Sequence, residues 1–158
     1  LAINPAAQIP VVELDDGRIL QESNAILYYL ALGSSYIPTD AYAQAQLLRW
    51  MFFEQYKHES ALAVARYITN YVPKRKKELP GLIKKGEAAL DVMEGHLKDN
   101  DYLVGDALTI ADISLYAYTH VAPEGGFDLT PYKAIKRWMK RVSAHPKHIK
   151  ITDRSQFL

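Results

Sequence analysis

Apolar and polar positions run first with the short period of strands and then, from about residue 23 onward, with the longer period of helices. The apolar runs at 11–14 and 19–20 flank Asp16-Gly17, a dipeptide that favours a tight hairpin turn. Pro10 cannot donate to a sheet ladder, so it fits only at the start of the leading strand. Ile26, Leu27, Leu30 and Ala31 then recur at helical spacing until Gly33 stops the pattern. Ser23 stands where the free N–H groups of that helix need an acceptor, and its hydroxyl is read as the cap.

Gly33-Ser34-Ser35 and Pro38-Thr39-Asp40 have the composition of a linker, and everything beyond is helical in pattern. Residues 1–33 therefore read as half a domain, 34–40 as the linker and 41–158 as an all-α domain. A long helix is expected over about 40–72, with Leu48, Phe52, Tyr56, Ala63 and Tyr67 on one stripe. Pro80 opens the next, where Leu82, Ile83, Gly86, Leu90, Met93 and Leu97 keep intervals of three and four. Thr109 and Asp112 have the spacing of a capping box, and losing the Asp112 cap is expected to cost about 1 kcal/mol or more. The helix they open is apolar almost all round (Ile110, Ile113, Leu115, Tyr116), so it should be the central buried one. Thr130-Pro131 reads as the cap of the last main helix, with Ile135, Trp138, Met139 and Val142 inward and five basic residues outward.

Composition narrows the chemistry. With 158 residues, 49% of them hydrophobic and 23% charged, the chain can bury a substantial core. No apolar run approaches the roughly 20 residues of a membrane-spanning helix, and a net charge of +1 gives no long-range pull toward nucleic acid. The absence of cysteine excludes disulfides and thiolate metal sites within these residues. Lys74-Arg75-Lys76-Lys77 reads as a solvated loop, and His145 and His148 have Pro146 between them and no evident third ligand, so no metal is expected. Phosphate loops, dinucleotide fingerprints and the common hydrolase motifs are missing.

What remains is a helix terminus with chemistry. The positive end of the helix at Ser23 attracts an anion, and Glu22 beside it can pair with a cation. Together they offer a carboxylate site and an ammonium site, which suits an amino-acid-like ligand.

The Ile9-Pro10 strand start, the Glu22-Ser23 helix start, the linker and the Thr109/Asp112 box resemble, in order and spacing, the cytosolic glutathione transferases of bacterial type. That resemblance spans essentially the whole chain. It implies a mainly α protein: the C-terminal part of a thioredoxin-like α/β domain (β-hairpin plus helix, 1–33), followed by an all-α helical-bundle domain (41–158). In that family the loop at Asn4-Pro5 follows a strand, helix and strand of about 50 residues, so the resemblance implies that the sequence begins inside its first domain.

The resemblance further implies that glutathione binds as co-substrate. Ile9, before a cis Pro10, would pair its backbone with the cysteinyl unit; Ser23 would take the γ-glutamyl carboxylate, and Glu22 would meet the ammonium or order the group that does; Gln8 would reach the glycyl end, or be a solvated loop amide. The family's thiol-activating Tyr, Ser or Cys lies near the end of its first strand, and no residue here occupies that position, so the catalytic residue is unknown. Met51, Phe52, Tyr56 and Tyr116, with Phe53 and Tyr67 nearby, are candidates for an electrophile pocket, although an aromatic stripe reads equally as core. His58 and Arg66 are no better candidates for the same pocket. The implied reaction is conjugation of the thiolate to a small electrophile, a detoxifying chemistry, or glutathione-dependent disulfide or peroxide reduction, in a cytoplasmic homodimer. The rival is a transferase-like interaction or assembly module without catalysis.

Overall fold

The computed structural model describes residues 3–149. Two short strands, β1 (Val11–Glu13) and β2 (Ile19–Gln21), pair antiparallel with Val12 opposite Leu20. Their turn closes through Gly17 N–H to Leu14 O at 2.8 Å, and Gly17 holds φ +80°, where a side chain would be strained. The helix α1 (Ser23–Ala31) follows at once. Its cap differs from the one expected: Glu22 is the capping residue, at φ 68°, and Ser23 is the first helical residue, with no side-chain cap bond. The left-handed turn at Glu22 starts the helix one residue early, which leaves the Ser23 hydroxyl outside the capping position.

Further along, Asp40 caps α2 (Ala41–Phe53) by accepting from Ala43 N–H at 2.8 Å. The long helix expected over 40–72 is a continuous helical run, but in three parts: α2, a π-turn over Glu54–Glu59, and α3 (Ser60–Tyr71). A turn of 3₁₀ helix, Pro73–Glu78, leads to α4 (Leu79–Leu97); α5 (Ile110–Thr119) and α6 (Lys133–Ser143) complete the bundle. The central position expected of α5 is observed: it packs on α1, α2, α3, α6 and the π-turn, and Ile110 and Leu115 are fully buried. Its first N–H also reaches back to the segment before α2, donating to Tyr36 O at 3.1 Å.

Two further expectations need correction. The stripe of Leu48, Phe52, Tyr56 and Tyr67 faces outward, with Phe52 70% and Tyr56 77% exposed. The inward face is the adjacent one, Leu47, Trp50, Met51, Leu62 and Ile68, because this helix is apolar on two faces and periodicity cannot say which one meets the core. Thr130-Pro131 does not cap α6 either. The Glu94 carboxylate of α4 does so from across the bundle, accepting from Ala134 N–H at 3.0 Å and Ile135 N–H at 2.9 Å.

Candidate functional site

The residues before β1 form a tight loop organised by Asn4, which is buried. Its carboxamide donates to Gln8 O at 2.7 Å and accepts from Ala6 N–H at 2.9 Å. The loop delivers the chain to Ile9-Pro10, whose peptide bond is cis. Ile9 is 94% exposed, and among the described residues its N–H and C=O make no backbone hydrogen bond.

Ser23 is exposed, and its hydroxyl has no partner among the described residues. The N–H groups of Ser23, Asn24 and Ala25 are the orphan donors of the helix start, since the first intrahelical bond runs from Ile26 N–H to Glu22 O. Such donors, at the positive end of a helix, suit a carboxylate. Glu22 beside them holds a left-handed conformation that disfavours residues with a Cβ, and such outliers concentrate at ligand sites.

Glu22, Glu54 and Glu59 form an acidic group here, and none of them has an ion-pair partner among the described residues. Glu54 is 3% exposed, and burial pushes its carboxyl up to about 7, against the hydrogen bonds it accepts. Burial also raises Glu59, and the charge of Glu22 adds to that. The Gln55 amide bridges the two, donating to Glu54 Oε2 at 2.8 Å and Glu59 Oε2 at 2.7 Å. Lys57, on the same π-turn, lies over the Tyr56 ring.

A cleft of about 340 Å³ joins Pro10 and Ser23 to Glu54, Glu59 and Tyr118. A groove of about 380 Å³ on the other side of Asn24 is lined by Glu22, Met51 and Phe52. The structure thus brings Pro10 and Ser23 together in one cleft, while Gln8 and Ile9 stand on the exposed loop beside it. The four residues considered for the electrophile do not converge. Met51 and Phe52 meet Glu22, Tyr56 points to solvent, and Tyr116 lines a separate apolar cavity of about 450 Å³ with Tyr36, His120, His145 and His148. His58 is buried and paired with Thr119 Oγ1 at 2.8 Å, and Arg66 is paired with Glu124 at 2.7 Å.

Sequence reasoning missed Asn24, Glu54, Ser114 and Tyr118. Asn24 adjoins the singled-out Glu22-Ser23 pair, so asking which first-turn side chain turns inward would have found it. The rest lie 30 or more residues further along the chain and carry no local signal. Among the described residues no group of histidines and carboxylates could hold a metal ion.

The family model for the glutathione S-transferase C-terminal domain matches residues 46–146, and that for the N-terminal domain matches residues 1–32. A glutathione S-transferase from Pseudomonas fluorescens superposes with TM-score 0.93 at 53% identity, over 96% of this chain and 77% of that one. One from Xanthobacter autotrophicus gives 0.92 at 43%, over 99% and 78%. A glutathione transferase homologue from Sulfitobacter, with bound glutathione, gives 0.76 at 25%, over 92% and 73%. Among curated relatives, the glutathione S-transferase-like protein LUC7 of Fusarium is 35% identical over 74% of this chain, and elongation factor 1-gamma of Artemia salina 31% over 76%. The chain spans 58% and 29% of the lengths of those two proteins. With a family model covering most of its length and a helical bundle that superposes on solved members, the chain belongs to the glutathione S-transferase family.

Proposed function

We propose that this chain binds glutathione at the start of α1 and supports transfer of its thiolate to a small electrophile, or reduction of a disulfide or peroxide by glutathione. The observation that carries this reading is the open N-terminus of α1, with three orphan N–H groups and a free Ser23 hydroxyl, beside the Glu22 carboxylate. The γ-glutamyl carboxylate takes the N–H groups and Ser23; its ammonium takes Glu22. The cysteinyl unit pairs with the backbone of Ile9, and Gln8 reaches the glycyl end. Glutathione bound to the Sulfitobacter homologue supports the ligand class. In conjugation the thiol gives its proton to solvent, the sulfur forms a bond to the electrophilic carbon, and the leaving group departs with the electron pair of the bond that breaks; in the reductive alternative two glutathione thiols supply the two electrons and end as the glutathione disulfide. Held in this pose, the thiolate gains from orientation. The thiol-activating group is assigned to no residue of this chain.

On this reading residues 1–33 are the C-terminal half of the thioredoxin-like domain, 34–40 the linker and 41–158 the helical domain, a division supported by the extents of the two family matches. The exposed stripe on α2 supports a homodimer, and a cytoplasmic location fits the cytosolic members that the chain resembles.

Calorimetric titration with glutathione tests the reading. Binding that weakens about ten- to a hundredfold in Ser23→Ala is expected, since a lost charge-assisted hydrogen bond is worth about 1.5–3 kcal/mol. A chain that gives no heat at millimolar glutathione would instead be a non-catalytic interaction module, a reading favoured by its 31% identity to elongation factor 1-gamma.

A further inference from the structure

The net charge of +1 conceals a division along the chain. Residues 1–128 hold eleven Lys and Arg against seventeen Asp and Glu, a balance of −6, whereas residues 129–158 hold eight against one, a balance of +7. Between Asp128 and Asp153 no side chain is acidic. A basic segment in a chain that is near neutral as a whole points to a polyanionic partner.

The fold gathers this charge on one face of α6. Lys133, Lys136, Arg137 and Lys140 follow one another by one to three residues along a single side of the helix, and all four are exposed, while Ile135, Trp138 and Val142 are buried in the bundle. At 1.5 Å per residue the four bases span about 10 Å of helix. Little neutralises them. Among the described residues Arg141 is the one α6 base with an ion-pair partner, Asp101 at 2.6 Å, and Lys133, Lys136, Arg137 and Lys140 have none. Lys136 Nζ donates to Thr130 O at 2.9 Å and Arg137 Nη2 to Leu97 O at 3.4 Å, bonds to carbonyls that steady both side chains and leave their charge in place. Glu94, packed against the start of α6, is engaged with the N–H groups of Ala134 and Ile135.

This face has charge without an apolar centre. Among the described residues none of the exposed large apolar side chains lies on α6. It therefore lacks the aromatic anchors of a protein–protein interface and the side chains that an interfacial helix inserts into a bilayer. A nucleic acid backbone requires neither, because Lys and Arg neutralise phosphates and the release of counterions supplies the affinity. We propose that the outer face of α6 binds the phosphodiester backbone of a nucleic acid through Lys133, Lys136, Arg137 and Lys140, without reading its sequence. None of the four lines the Pro10 and Ser23 cleft or the groove beside Glu22, so this site stands independently of glutathione binding.

Fluorescence anisotropy of the chain with labelled RNA and DNA duplexes of mixed sequence tests this. Dissociation constants of about 1–100 μM are expected, and four phosphate contacts should weaken DNA binding about a hundredfold between about 50 and about 200 mM salt. Lys133→Glu with Lys140→Glu should weaken binding at least about tenfold and flatten the salt slope by about two, leaving the circular dichroism and the glutathione titration unchanged. The milder Lys133→Gln with Lys140→Gln should show a smaller loss in the same direction. Lys76→Glu with Lys77→Glu changes the net charge equally on the exposed turn before α4, and should keep affinity within about twofold of the wild type. Equal losses in the two Glu pairs would show that net charge and not α6 attracts the duplex, and overturn the proposal. Failure of the wild type to bind either duplex at low salt overturns it too, as does binding to phosphatidylserine vesicles that excess duplex does not displace.

Discussion

Trp138 Nε1 donates to Asp112 Oδ1 at 2.8 Å, so the last helix of the bundle hangs on the first turn of its central one. Asp112 is fully buried, and its other bonds come from Leu103 N–H at 2.9 Å, Thr109 N–H at 2.9 Å and Thr109 Oγ1 at 3.0 Å. Burial pushes its carboxyl up, and these four donors act against that. Asp112→Ala leaves three buried N–H donors unpaired, and so should cost about 3 kcal/mol or more rather than the ~1 kcal/mol of a lone cap. Urea unfolding decides between them. Equal losses in Asp112→Ala and Thr109→Ala would refute the role of Asp112 as a junction of α5, α6 and the loop at Leu103.

Glu54 and His58 occupy one π-turn with opposed proton preferences. Burial raises the Glu54 carboxyl from its ordinary 4.5 to about 7 and lowers the His58 imidazole from 6.5 to about 3. Between 4.5 and 7 the folded chain keeps a Glu54 proton that the unfolded chain loses, so this group's stability contribution fades as pH rises through 7, by at most about 3 kcal/mol. Between 6.5 and 3 the unfolded chain takes a His58 proton that the folded chain refuses, so this contribution fades as pH falls. The two slopes oppose each other from 4.5 to 6.5. Melting curves across about pH 4–8 should show Glu54→Gln flattening the alkaline fall and His58→Gln the acid one. A wild-type alkaline limb that persists unchanged in Glu54→Gln would show that Glu54 ionises freely.

How far the sequence disclosed this molecule depends on whether a feature is local. The Asp16-Gly17 turn, the Asp112 reach-back to Thr109 and the stop at Gly33 each rest on residues a few positions apart, and each is present. Glu22-Ser23 was legible as a helix start, but which of the two caps depends on a backbone twist that residue types do not announce. The Glu94 cap on α6 and the Trp138 bond to Asp112 join residues 26 or more apart, so no window of sequence contains them. The outward turn of Phe52 and Tyr56 was hidden for another reason. Both they and the buried Trp50 and Met51 are large and apolar, and only the assembled bundle selects the face to bury.

Because Glu94 accepts from two N–H groups of the first turn of α6, its carboxylate also meets the positive end of that helix. Glu94→Ala should lose about 1–2 kcal/mol, and Glu94→Gln, which keeps one acceptor, about half of that. Thr130→Ala should change stability by less than about 0.5 kcal/mol. Denaturant midpoints compare the three. A larger loss in Thr130→Ala than in Glu94→Ala would restore Thr130 as the cap.

The outward stripe carries the last expectation. Leu48 and Phe52 on the long helix line the groove beside α1 together with Tyr28, and Tyr56, Tyr29 and Leu30 are also exposed. Contiguous apolar surface of this kind marks an association site, and a stable interface buries about 800 Å² on each partner. In a homodimer the same patch meets itself about a two-fold axis, so one substitution removes its side chain from both sides at once. Sedimentation should therefore give about twice the 17.9 kDa chain mass for the wild type, and a monomer for Phe52→Glu, whose charge would be buried against its own copy. If Phe52→Glu stays dimeric with unchanged affinity, the partner copy docks elsewhere. If the wild type sediments as a monomer at micromolar concentration, the stripe is open surface, and its large apolar side chains become the first positions to replace for solubility.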